Sequence, residues 1–72
     1  MTIARMPVRS SNVKSVGHDP KSNTLQVEFH NGGVYEYKDV PASAHQAFVN
    51  ARSVGGHFHA HIRDQYEDEK IA

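Results

Sequence analysis

The clearest periodicity in the chain lies near its centre. From Thr24 to His30 apolar and polar positions alternate, with Leu25, Val27 and Phe29 on one side and Thr24, Gln26, Glu28 and His30 on the other. That period of two is the pattern of a half-buried strand. Asn31-Gly32-Gly33 supplies a hairpin turn, and Val34 to Lys38 reads as the returning strand. Upstream, Asn12 to His18 predicts another short strand, joined to the central one by a turn through Asp19-Pro20-Lys21-Ser22-Asn23. Beyond Lys38 the spacing changes. Pro41 suits a first helical turn, and Ala44, Ala47, Phe48 and Ala51 recur at intervals of three and four, with Val40 placed to pack where the helix begins. Ser53 is the candidate N-cap of a second helix whose apolar stripe is Phe58, Ile62 and Tyr66. Gly55 and Gly56 weaken its first turn by about 1 kcal/mol each relative to alanine, which implies a close backbone approach there.

Loop length decides which way Tyr35 and Tyr37 face. A two-residue Asn-Gly turn pairs His30 with Gly33 and sets both tyrosines beside Glu28 and Gln26. A three-residue loop with Gly33 as the glycine-requiring bulge pairs His30 with Val34, so that Phe29 faces Tyr35 and Val27 faces Tyr37. The second register gathers Leu25, Val27, Phe29, Tyr35 and Tyr37 on one face. It also sets Glu28 opposite Glu36, a cost of about 0.5 kcal/mol at a solvated surface that five apolar groups outweigh. The predicted fold is therefore α+β: a three-stranded antiparallel β-meander followed by two short helices packed on one face, in the order β-β-β-α-α. Residues 1–8 lack periodicity, contain Pro7 and are expected to form a flexible arm. Residues 9–66 form the single domain and residues 67–72 an acidic tail.

Composition narrows the classes available. At 72 residues one domain is the ceiling, and a catalytic interior has little room. The absence of cysteine removes disulfides and thiolate metal sites. No apolar run approaches the roughly 18–20 residues of a membrane span and no signal-peptide pattern opens the chain, so a cytoplasmic protein without membrane partners is expected. Val, Ile, Leu and Phe number 15, of which eight are Val, a strand-favouring mix with a thin core. A thin core makes a homo-oligomer a natural expectation. Eight Lys and Arg balance eight Asp and Glu, but residues 1–21 carry a net +3 and residues 64–72 a net −3. The zero excludes a uniformly basic nucleic-acid binder and leaves room for a basic surface masked at long range by the acidic end.

The candidate chemistry is sparse. His57 and His61 share a helical face, with Asp64 one turn further and His59 pointing elsewhere. A two-histidine pair with a carboxylate is a weak motif, and with no HExxH-like catalytic glutamate beside it the histidines are read as surface or hydrogen-bonded, so no metal or other cofactor is assigned. None of the serines sits in a nucleophile-elbow context, and neither GxxxxGK[ST] nor GxGxxG occurs, so no catalytic residue is assigned and an enzyme is not expected. Binding chemistry fares better. Tyr35 and Tyr37, alternating on a strand, belong either to the core beneath the helices or to a stacking surface for bases. Arg9, Lys14, Arg52 and Arg63 are candidate phosphate contacts, with a rival role in ion pairs to Glu36, Asp39 and Asp64. Ser10, Ser11 and Ser53 are candidate hydrogen-bonding groups beside the second helix start.

Ser10-Ser11-Asn12, Val16-Gly17, Leu25-x-Val27-x-Phe29, Gly33-Val34-Tyr35-x-Tyr37, Val40-Pro41, Ala51-x-Ser53-x-Gly55, Phe58, Ile62-Arg63 and Tyr66 occur in that order. In order and spacing they resemble the KTSC domain, over about residues 9–66. That family is named for a domain at the C-terminus of some lysyl-tRNA synthetases and also occurs as stand-alone bacterial and phage proteins. The resemblance places Tyr35 and Tyr37 on the family's YxY centre and implies RNA binding through the synthetase association. His18, His45 and His59 stand where the family pattern leads one to expect Tyr, Tyr and Asn. The leading expectation is a small non-catalytic module that binds RNA or another nucleic acid through Arg9, Ser10, Ser11, Lys14, Tyr35, Tyr37, Arg52, Ser53 and Arg63. The alternatives are a protein-interaction or self-assembling module, and a binder of a small nucleotide or anionic metabolite.

Overall fold

The central hairpin closes through a three-residue loop, His30-Asn31-Gly32, and the sheet grows outward from it on both sides. The structure, a computed structural model, describes residues 3–72. Strands β1 (Met6–Pro7), β2 (Val13–Asp19), β3 (Thr24–Phe29), β4 (Val34–Tyr37) and β5 (Asp68–Lys70) form one antiparallel sheet in chain order. Helices α1 (Ala42–Val49) and α2 (Val54–His57) follow β4, and α2 continues into a wider π-helical turn, Phe58–Ile62. The α+β class with an antiparallel sheet and two helices holds; the three-stranded sheet is corrected to five. Residues 6–7 of the expected arm and residues 68–70 of the expected tail each add an edge strand. Residues 1 and 2 of that arm lie outside the described residues. Both added strands are short and β1 carries a proline, features that blunt a sheet edge against further pairing.

The hairpin register differs from expectation by two residues. Leu25 stands opposite Tyr37 and Val27 opposite Tyr35, while Phe29 N–H donates to the Gly33 carbonyl at 2.9 Å. The left-handed residue is Gly32, at φ 93°, rather than Gly33. A slip of two keeps every side chain on its face, so the apolar set stays together. It also removes the Glu28–Glu36 opposition. Gln26 now faces Glu36 and donates to it at 2.9 Å, while Arg5 donates to Gln26 at 2.7 Å and Ser15 to Glu28 at 2.8 Å. This polar network covers the outer face. The like-charge opposition moves to the other edge, where Glu36 faces Glu69.

The inner face carries the core. Val13, Val16, Leu25, Val27 and Tyr37 from the sheet meet Val40, Phe48, Val54, Phe58 and Ile62 from the helical half, all buried. Tyr66 packs against this cluster, completing the predicted stripe from beyond the helix end. His18 lies on the same face, where its Nε2–H donates to the Val40 carbonyl at 2.7 Å and its ring stacks on His45 of α1 at 5.0 Å.

Two predictions arise here. Residues 3–4 cross directly over Gly17, where an added Cβ would stand 2.5 Å from the Ala4 carbonyl oxygen and 2.8 Å from Ile3 Cγ2. Gly17→Ala is expected to cost about 1–3 kcal/mol in urea unfolding and to raise amide exchange over residues 6–8; unchanged exchange there contradicts the account. The second concerns pH. His45 is held below the ordinary histidine pKa by burial and then by His18, and His57 by burial and then by His61. The fold thus favours neutral rings, and the unfolded chain takes up protons first as pH drops through ~6.5. Stability is complete above that pH and is lost below it. The urea midpoint should fall between about pH 7.5 and about pH 5, and fall less in His45→Tyr.

Candidate functional site

Where the second helix leaves the loop after β1 and passes the hairpin, a groove opens along its side. Three adjoining hollows of about 330, 430 and 420 Å³ make it up, and His59 lines all three. At one end are Arg9, Ser10, Ser11, Arg52 and Ser53; in the middle, Asn12, Phe29, His30, Asn31 and Gly55; at the other end, Tyr35, Tyr37, Arg63, Asp64 and Asp68. Every residue expected to bind is brought here except Lys14. Lys14 is exposed on β2 at the point where the ladder shifts register, and it does not line the groove.

The polar end is built by two serines. Ser10 Oγ accepts from the N–H groups of Asn12 and Val13, both at 3.2 Å, so its lone pairs are occupied and its hydroxyl is left to donate. Ser53 caps α2 as the sequence predicts, its Oγ accepting from Gly56 N–H at 3.1 Å. Gly55 lies against the loop before β2; a Cβ there would sit 3.3 Å from Ser10 Oγ. His30 ties the hairpin to the same loop, Nε2–H donating to the Ser10 carbonyl at 3.0 Å. Among the described residues none of Arg9, Arg52 or Arg63 has a carboxylate within 4.0 Å; the ion pair present is Arg5–Glu28, on the outer face.

The aromatic end is less open than a stacking platform requires. Tyr37 is 3% exposed and meets Phe58 edge to face at 5.7 Å, so its ring belongs to the core. That corrects its expected stacking role and leaves the hydroxyl as its contribution. Burial, then the neighbouring Asp68, pushes the Tyr37 phenol up to about 12. Tyr35 is half-buried and meets Phe29 edge to face at 5.7 Å. Phe29 and His59 were missed by sequence reasoning. A signal for His59 existed: Gly55, His59 and Arg63 are spaced at four, one helical face. The π-helical turn preserves that alignment, with Arg63 N–H donating to the Phe58 carbonyl at 2.8 Å and Arg63 Nη1 3.4 Å from His59 Nδ1. His57 and His61 turn away, their rings 4.6 Å apart. Among the described residues no three His, Cys, Asp or Glu side chains gather as metal ligands. Nor is any helix among them long and apolar enough to cross a membrane.

The KTSC domain family model matches residues 9–66, the segment that carries the core and all of the groove lining except Asp68. The chain belongs to the KTSC family. It is 39% identical over 62 residues to an uncharacterized protein of Stutzerimonas stutzeri (strain A1501), covering 86% of this chain and 87% of that one. It is 36% identical over 60 residues to a lysine–tRNA ligase of Nostoc sp. (strain PCC 7120), covering 83% of this chain but 11% of the ligase, so it spans about a ninth of that relative. A crystal structure of a KTSC domain protein from Yersinia pestis superposes with a TM-score of 0.94 at 38% identity, covering 99% of this chain and 100% of that one. This KTSC domain thus shares its fold with that Yersinia pestis protein.

Because the Ser53 cap fixes where Gly55 meets Ser10, Ser53→Ala should lower stability by about 1 kcal/mol in urea unfolding, with Ser53→Thr recovering most of it. An unchanged midpoint in the alanine variant would show that the cap does not hold the groove wall.

Proposed function

We propose that the groove binds single-stranded RNA, and that this KTSC domain is a non-catalytic binding module. The observation that carries the reading is the convergence of Arg9 and Arg52, both without a carboxylate partner among the described residues, beside the Ser10 hydroxyl, which is left with only a proton to offer. Unpaired guanidinium groups with hydroxyl donors match the chemistry of a phosphate. Next to them the groove is lined by Phe29 and His59, flat faces and edges against which a splayed base can lie. Ser10 spends both lone pairs and Ser53 one on backbone N–H groups, which supports a binding role over a nucleophilic one. The kinship with part of a lysine–tRNA ligase supports RNA as the nucleic acid and the cytoplasm as the location.

The test is fluorescence anisotropy with a short labelled RNA at low salt. Binding is expected, weakening with salt at a log–log slope near −1.4, from ~0.7 per neutralised phosphate at Arg9 and Arg52. Arg52→Ala should roughly halve that slope. No binding at low salt, or a slope indifferent to both arginines, overturns the reading.

A further inference from the structure

The groove is not uniformly charged along its length. Arg9 and Arg52 line one end without a carboxylate among the lining residues. At the other end Asp64 and Asp68 outnumber Arg63, and Arg63 reaches back toward His59 in the middle. Asp68 arrives there because β5 pairs it with Tyr37 on the inner face of the sheet. Lys70, opposite Tyr35 on the same face, does not line the groove.

The hollow these two carboxylates line holds a polar group that has no partner among the described residues. Tyr37 is more than nine-tenths buried and lines the acidic hollow, yet among the described residues its hydroxyl makes no hydrogen bond within the protein. No buried side-chain oxygen or nitrogen among them is left unsatisfied, so this hydroxyl opens to the groove rather than being sealed beneath it. Its phenol is pushed up to about 12, first by burial and then by the neighbouring Asp68 carboxylate.

A nucleic-acid strand running the full groove would carry a phosphodiester past Asp64 and Asp68, where like charge opposes it. A strand that ends there carries none. Its last ribose instead presents two vicinal hydroxyls, donors that match carboxylate oxygens, as acidic side chains match ribose hydroxyls elsewhere. The Tyr37 hydroxyl supplies one more partner for the 2′-oxygen, the atom that separates RNA from DNA. We infer that the groove receives the 3′ end of an RNA strand, its phosphates at Arg9 and Arg52 and its terminal 2′,3′-diol at Tyr37, Asp64 and Asp68. This rests on the RNA-binding reading above.

The experiment compares two RNAs of one sequence, one ending in a free 3′-hydroxyl and the other in a 3′-phosphate. The free end is expected to bind at least about tenfold more tightly. Asp68→Asn and Asp64→Asn, both at exposed positions, should shrink that preference while leaving the salt slope intact. Tyr37→Phe should weaken the free-ended RNA more than the phosphorylated one. Equal binding of the two RNAs by the natural protein overturns the inference and leaves the RNA-binding reading standing. Binding of neither overturns both.

Discussion

Phe58 is the residue around which the two halves of the molecule are joined. Its ring meets Phe29 edge to face at 5.2 Å and Tyr37 at 5.7 Å, and lies 6.2 Å from Phe48. One side chain therefore fastens the hairpin, α1 and the second helix. Burial of a ring of this size contributes about 2–3 kcal/mol, a large share of the net stability available to so small a chain. The groove depends on it as well. Phe58 opens the π-helical turn, and the residues that follow it, His59 and Arg63, project along the groove because Phe58 and Ile62 are drawn into the core.

The same economy shows in the charges. A chain of zero net charge keeps its two faces electrically distinct by using different residues for each. On the outer face Arg5, Gln26, Glu28 and Glu36 neutralise and hydrogen-bond one another. Along the groove Arg9, Arg52 and Arg63 have no carboxylate within 4.0 Å among the described residues, and the acidic C-terminal segment brings Asp64 and Asp68 to its far end. What looks in the sequence like a basic head and an acidic tail becomes, once both ends pair into the sheet, a gradient along one groove.

Much of this was legible in the residue pattern. Leu25, Val27 and Phe29 announced their strand and their face because alternation of period two admits one buried side. Ser53 announced a helix start because its hydroxyl satisfies an otherwise orphaned N–H. The hairpin register was not legible to the same degree. A slip of two residues preserves every facing, so hydrophobic pattern alone cannot separate the two alignments. The loop glycine and the Gln26–Glu36 pairing decided it. The edge strands were hidden for another reason. Met6–Pro7 and Asp68–Lys70 are too short and too exposed to carry any periodicity of their own.

By itself the sequence determined the α+β class, the central hairpin faces, the two helix starts and a set of basic and hydroxyl side chains suited to an anion. These rest on local rules, in which a residue acts on neighbours within one turn or one strand. Only the tertiary structure decided that those side chains share a groove, that Lys14 stands outside it and that the Tyr37 ring belongs to the core. Only it turned Asp68 inward beside the Tyr37 hydroxyl. Such choices depend on which strand lies beside which and on what a helix covers, distances set by packing between segments far apart in the chain.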